Sequence, residues 1–392
     1  MPSMKILFFV RDLGIGGSQR QLALLAAGLA RRGHDVAVAV LYAGGALEAL
    51  LGKSGARLLA IGKSSRWQTV VPLARLRRVL LSERPDAVYA FLPTQTTLAA
   101  LLLPRQLKTK LVFGVRAAGV RLDHYDALTA LMYRCEAWLA RRADLVIANA
   151  RAGRADAVAR GFPSDRIVVI SNGIDTDAMK PDAAAGRALR RMWRLADNAF
   201  VVGCVARLDP MKNHATLLKA AAAFARDHSD ARFVCIGGGP SAYGGELKAL
   251  ANSLGLVDRV VWAGDIRDVK AAYSSFNIAT LSSSFGEGFP NAVAEAMACG
   301  IPVVATDVGD VRAIVGELGE VVPPNDPDLL CAGWARLRAR LEQNPGLRGD
   351  VRSAIMASHG LDLMVRRSEA VLAQLIADRP IADIAPDRGE PA

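Results

Sequence analysis

The 392-residue sequence predicts two doubly wound α/β domains of similar size. Three observations carry this expectation. The chain is longer than one hydrophobic core usually supports. Short apolar runs alternate with segments of helical period along most of its length, the pattern of βαβ units and parallel sheets. The texture breaks once near the middle, at Ser171-Asn-Gly-Ile-Asp-Thr-Asp, where turn formers precede an Ala-rich stretch with Pro181 and Gly186 that reads as a linker. The expected domains are therefore 1–180 and 186–355, with a cleft between them as the ligand site.

In the first domain Lys5–Val10 reads as a strand, followed by a Gly-rich turn and a helix from about Ser18 to Arg32, with Leu22, Leu25 and Leu29 on one face and Gly33 as its stop. Further strands are expected at Val36–Leu41, Arg57–Ile61, Ala87–Ala90, Leu111–Val115, Leu145–Ala148 and Ile167–Ile170. The second domain alternates strands at Phe200–Ala206, Arg232–Gly237, Val260–Trp262, Ile278–Leu281 and Pro302–Ala305 with helices at His214–Asp227, Gly245–Leu254, Val269–Phe276 and Asn291–Cys299. A last helix over about 361–377 could pack back on the first domain. The tail 379–392, rich in Pro and charge, is expected to be disordered.

Composition narrows the function classes. Apolar residues make up 52% and aromatics 6%, a globular balance. No apolar run approaches the roughly 18 to 20 residues of a membrane span, and the apolar start is too short for a signal segment. Cys135, Cys204, Cys235, Cys299 and Cys331 are scattered, odd in number and without metal spacing, which fits core thiols in a reducing compartment. The net charge is +11, and residues 1–180 hold 26 Lys/Arg against 13 Asp/Glu, so the whole excess lies in the first half. Such a field suits an anionic partner: nucleic acid, anionic lipid or a phosphate-bearing substrate.

The richest segment is Ser283-Ser-Phe-Gly-Glu-Gly-Phe-Pro-Asn-Ala-Val-Ala-Glu-Ala-Met-Ala-Cys-Gly-Ile-Pro-Val-Val-Ala. A strand ends, a Gly-flanked loop carries Glu287 and Gly288, and Phe289-Pro290 leads into a helix starting at Asn291. The amides of Asn291, Ala292 and Val293 then form a positive helix start suited to a diphosphate. Glu287 can accept sugar hydroxyls, and Glu295, one turn on, can accept ribose hydroxyls. Upstream, Val205-Ala-Arg-Leu-Asp-Pro-Met-Lys-Asn-His sets Arg207 and Lys212 on a loop after a strand, two cations able to clamp phosphates.

These segments resemble the signature of glycosyltransferase family 4. The resemblance implies the GT-B fold, two Rossmann-like domains facing across a deep cleft, and retaining transfer from a nucleotide-sugar. It makes Arg207 and Lys212 the diphosphate clamp. It also marks Ile236-Gly-Gly-Gly-Pro, with Gly238, as a ligand-facing turn, and Ala263-Gly-Asp-Ile-Arg-Asp as the base-binding loop, with Ile266 as the contact. Gly14-Ile-Gly-Gly-Ser-Gln-Arg breaks dinucleotide spacing at Gln19; it is similar instead to the family's Gly-Gly loop, which makes Gly16 and Gly17 donor-site residues.

One departure stands out. Where many members carry a His after the strand corresponding to Leu111–Val115, this sequence has Arg116, which can bind an anion but cannot act as a base. The resemblance implies a mechanism without a protein nucleophile. Arg207 and Lys212 would steady the leaving group, Glu287 would orient the sugar, and Arg116 would complete the catalytic set. No metal or other cofactor is expected, and a UDP-sugar is the expected donor.

The first domain should bind a saccharide or lipid-linked acceptor, as in cell-surface polysaccharide assembly. The basic amphipathic stretch Arg66–Arg84 suggests contact with an anionic membrane face, so the expected location is cytoplasmic and peripheral on the inner membrane. A nucleotide-sugar epimerase is the alternative. A nucleic-acid-binding protein is a remote one, opposed by the sparse aromatics; His124 is a lesser loop candidate.

Overall fold

The computed structural model describes residues 2–63, 70–122 and 126–381. Arg66, Trp67, His124 and the tail from 382 onward lie outside them. The described residues divide into two compact units, one up to Gly173 together with the segment from Leu361 onward, and one from Ile174 to Gly360.

Unit 1 runs β1 (Lys5–Val10), α1 (Gly17–Arg31), β2 (Asp35–Val40), α2 (Glu48–Gly52), β3 (Arg57–Ala60), α3 (Val70–Glu83), β4 (Ala87–Phe91), α4 (Pro93–Leu102), β5 (Lys110–Val115), α5 (Ala127–Leu139), β6 (Leu145–Ala148), α6 (Arg151–Ala159) and β7 (Ile167–Val169). Unit 2 contains α7 (Ala183–Met192), β8 (Phe200–Val205), α8 (His214–Asp227), β9 (Ala231–Ile236), α9 (Ser241–Ser253), β10 (Val260–Gly264), α10 (Val269–Ser274), β11 (Ile278–Leu281) and α11 (Asn291–Ala298). It ends with β12 (Val303–Thr306), α12 (Val311–Val315), β13 (Glu320–Val322), α13 (Pro327–Gln343) and α14 (Leu347–His359). A final helix, α15 (Leu361–Ile376), returns to unit 1.

Both sheets are parallel, in the orders β3-β2-β1-β4-β5-β6-β7 and β10-β9-β8-β11-β12-β13. Their strands are nearly continuous apolar runs because helices cover both faces. In unit 1 alternate residues feed two cores: Ile6, Phe8 and Val10 point to the layer containing α1 and α15, and Leu7 and Phe9 to the layer containing α3 and α4. The helix α15 is tied into the first layer by Met364, Val365, Leu372 and Leu375. Gly28 permits this approach, since a Cβ there would lie 2.5 Å from Val365 Cγ2. The seam is also polar: Glu369 accepts from Arg32 Nε (2.7 Å) and pairs with His34 Nε2 (2.8 Å).

The stretch expected as a linker is irregular as far as Asp182 and then becomes the helix α7. Asp182 caps α7, accepting from the Ala185 amide at 3.0 Å, and Arg190 ties it to the Ser275 carbonyl and the Asn277 side chain. Gly186 lets α7 press on α10, because a Cβ would meet the Ser274 carbonyl oxygen at 2.3 Å. That glycine serves close packing, not a turn. The basic helix α3 buries Leu76 and Leu80 in the sheet layer and leaves Arg77 and Arg78 in solvent.

Candidate functional site

Each sheet reverses winding direction once, between β1 and β4 and between β8 and β11. In doubly wound sheets ligands bind beyond the C-terminal strand ends at such a point. In unit 2 the loops leaving β8 and β11 are those carrying Arg207, Lys212 and Glu287, so residues 75 positions apart become neighbours.

Backbone and side-chain bonds fasten the two loops together. The Ser284 amide donates to the Met211 carbonyl (2.9 Å), and Ser282 Oγ donates to the Lys212 carbonyl (2.8 Å). Thr306 Oγ1 holds the Ser283 carbonyl at 2.6 Å. Gly286, at φ 80°, leaves the space that Met211 Sδ occupies. On this frame Lys212 Nζ bonds Glu287 Oε1 at 2.5 Å, and Ser283 Oγ donates to the same oxygen at 2.6 Å. Both ion-pair partners are largely buried, with side chains 16% and 8% exposed. Such a pair is costly to separate and well defined in position.

Arg207, in contrast, projects into solvent with its side chain 70% exposed and pairs with Asp209 at 3.4 Å. Two positive groups thus stand on one loop, one buried in an ion pair and one exposed. Behind them His214 is buried, and burial with the nearby Lys212 pushes its imidazole down to about 4, so it is neutral near pH 7.

The helix α11 starts at Asn291, with Pro290 one position earlier, at the cap. The Val293 amide donates to the Pro290 carbonyl at 3.1 Å, which removes it from the set of first-turn amides expected to serve a diphosphate; Asn291 and Ala292 hold the helix start. Phe289 turns inward against His359, ring centroids 5.1 Å apart, and acts as a packing residue beneath the loop. Gly288 offers its carbonyl to the Asp310 amide (3.0 Å). Glu295 is buried and accepts from the Tyr273 hydroxyl at 3.1 Å.

The triglycine turn has a structural reason. Gly237, at φ 131°, and Gly239 lie against the 206–208 loop, where Cβ atoms would sit 2.2 Å from the Ala206 carbonyl oxygen and 2.3 Å from the Leu208 carbonyl oxygen. The turn therefore braces the Arg207 loop. The Gly238 amide is held by Asp265 Oδ1 at 2.7 Å, and Ile266 follows that aspartate, half-buried. Sequence reasoning singled out neither Asp265 nor Tyr273, because each acts through a partner more than 20 residues away, nor Ser283, whose bond to Glu287 depends on how the loop between them folds.

Gly16, Gly17 and Arg116 belong to unit 1. Gly16 caps α1 in an extended conformation, with Gly17 as its first residue. Arg116 leaves the end of β5 with its guanidinium over the Phe91 ring, 3.8 Å from the centroid, and donates from Nη2 to the Tyr89 hydroxyl at 2.5 Å. Burial lowers the affinity of this guanidinium for its proton, the Tyr89 contacts opposing the effect in part. Among the described residues no His/Cys/Asp/Glu group is arranged to hold a metal.

Two parallel doubly wound sheets, with Lys212, Arg207 and the start of α11 at the winding reversal of the second, define a Rossmann-like α/β protein. The family models agree: residues 15–178 match Glycosyltransferase Family 4 and residues 199–339 match Glycosyl transferases group 1. The chain belongs to glycosyltransferase family 4.

It is similar to the D-inositol 3-phosphate glycosyltransferase of Salinispora tropica, 35% identical over 225 residues, which are 53% of this chain and 45% of that protein. It also resembles a GDP-mannose-dependent α-(1-6)-phosphatidylinositol monomannoside mannosyltransferase of Mycobacterium tuberculosis, 34% identical over 185 residues, 45% of this chain and 47% of that one. The matched region spans about half the length of these curated relatives. Its fold is that of Anabaena HepE in complex with UDP-glucose, with a TM-score of 0.82 at 23% identity over 95% of this chain and all of the other.

Proposed function

We propose that this chain is a retaining glycosyltransferase that moves a hexose or N-acetylhexosamine from a nucleoside-diphosphate sugar to a saccharide or lipid-linked acceptor in cell-surface polysaccharide assembly. The buried Lys212–Glu287 pair at the winding reversal of unit 2 carries this reading. A cation and a carboxylate held side by side suit a sugar diphosphate: Lys212 faces the phosphate and Glu287 the sugar hydroxyls. Arg207 swings onto the diphosphate, and the α11 start adds its dipole. Glu295 takes the ribose, and Gly238 and Ile266 flank the base.

The protein's share of catalysis is then positioning and charge stabilisation, with the departing diphosphate taking the acceptor proton on the same face and no metal needed. A UDP-sugar is the preferred donor, as bound in the HepE complex. Incubation with an α-linked donor and an oligosaccharide acceptor should release nucleotide only when acceptor is present and should give an α-linked product by proton coupling. A β-linked product would refute retention, and an isomerised nucleotide-sugar would point to the epimerase alternative.

The acceptor side is assigned to unit 1 and to an anionic membrane face on the cytoplasmic side. No helix among the described residues is long and apolar enough to cross a membrane. The support is the positive excess of residues 1–180 together with the outer face of α5, where Leu128, Leu131 and Trp138 are 59%, 49% and 77% exposed beside Arg134. Apolar residues and arginines of this kind suit a lipid interface. Trp138→Ser should reduce co-sedimentation with phosphatidylglycerol vesicles at least threefold or so, and equal binding to neutral vesicles would remove the membrane from the account.

A further inference from the structure

The end of the unit 1 sheet holds two buried polar atoms with nothing to bond. Arg116 spends Nη2 on Tyr89 and its π face on Phe91, yet its Nε–H is buried without a partner, and no carboxylate among the described residues lies within ion-pair reach. Asn149 follows β6, the strand next to β5, and its amide is pinned to the Val115 carbonyl at 3.1 Å. Its side chain is 2% exposed and its Oδ1 is also unpartnered. A guanidinium over aromatic rings without a counterion, and an acceptor without a donor at the end of the adjacent strand, are both costly in a folded protein. Both costs vanish when one ligand supplies an anionic oxygen to Arg116 and a hydroxyl to Asn149.

We propose that Arg116 and Asn149 form an acceptor subsite that selects a saccharide carrying an anionic group, phosphate or carboxylate, close to a free hydroxyl. This deepens the transferase reading and rests on it. The anion sits in front of Nε at the rim of the Phe91 ring, and the hydroxyl donates to Asn149 Oδ1. Stacking on Phe91 holds the planar guanidinium at one angle, which a lysine cannot reproduce.

The test uses the full chain, titrated calorimetrically with glucose 6-phosphate, glucuronate and glucose, and with UDP as a probe of unit 2. Wild-type protein should bind one of the two anions at least about tenfold more tightly than glucose, a charge-assisted contact being roughly twice as strong as a neutral one. Preference for the phosphate or the carboxylate identifies the group. Arg116→Met should lose this preference while keeping UDP affinity, and it should raise the melting temperature by about 2 to 4 °C, because a half-buried guanidinium without a counterion is gone. Asn149→Ala should weaken both anions and leave UDP unchanged.

Equal binding of glucose and the anions, no anion binding, or unchanged preference in Arg116→Met overturns the subsite; so does a drop in melting temperature in that variant, the mark of a structural role. If Arg116→Met does not fold, Arg116→Lys gives the decision: it should keep charge and part of the preference but lose at least half the binding enthalpy, and a wild-type profile refutes the geometry. Failure of UDP to bind wild-type protein refutes the transferase reading itself, whatever Arg116 does.

Discussion

Replacing Lys212 by Met should lower kcat/KM by about 10²- to 10³-fold, the range for removing one preorganised charge stabiliser. It should also destabilise unit 2 by about 3 kcal/mol, because Glu287 is left buried without its cation. The two effects have different origins and can be separated. Adding Glu287→Gln removes the stranded charge while Ser283 still has an oxygen to bond. The double variant should therefore regain most of the stability and none of the turnover. Thermal denaturation and steady-state kinetics on the three proteins make the comparison. Turnover that returned together with stability would make the pair a structural strut and remove it from catalysis.

Gly309→Ala is the second large effect, and it reaches the site without touching a ligand. Gly309 adopts φ 65°, and a Cβ there would lie 2.4 Å from the Gly288 carbonyl oxygen and 2.5 Å from that of Glu287. Both contacts are backbone, so they yield only if the Glu287 loop moves. The left-handed conformation and the overpacking together should cost about 2 to 4 kcal/mol. Displacement of Glu287 should weaken donor affinity at least about tenfold, since an ångström of misplacement can cost a hundredfold in rate. Gly255→Ala is the matched control: φ is 71° but nothing lies within 4 Å of the added methyl. It should lose about 1 kcal/mol of stability and keep donor affinity. Equal donor affinity in the two variants would show that the Gly309 contact does not set the position of Glu287.

The strands were readable because a buried parallel strand is a short apolar run, as in Lys5–Val10 and Phe200–Val205, and the helices because their apolar faces repeat. What escaped was decided by contacts between distant residues. The strand Glu320–Val322 is three residues long and gains its identity only by pairing with Val304–Thr306. Gly186 carries a turn signal, yet it lies inside α7, where tertiary packing on Ser274 needs the missing side chain. The motif spacing named Glu287 and Lys212 separately, but only the adjacency of β8 and β11 makes them a pair. The same holds for Arg116: its position was readable, whereas its seat on Phe91 and its missing partner follow from the pairing of β4 with β5.

The most direct test of the donor site is saturation-transfer NMR of the full chain with UDP-glucose, GDP-mannose and ADP-glucose. At least one donor should show saturation on both its ribose and its hexose protons, with the ribose signal lost in Glu295→Ala and the hexose signal lost in Glu287→Ala. No saturation of any donor at millimolar concentration, or an undiminished ribose signal in Glu295→Ala, would contradict the account.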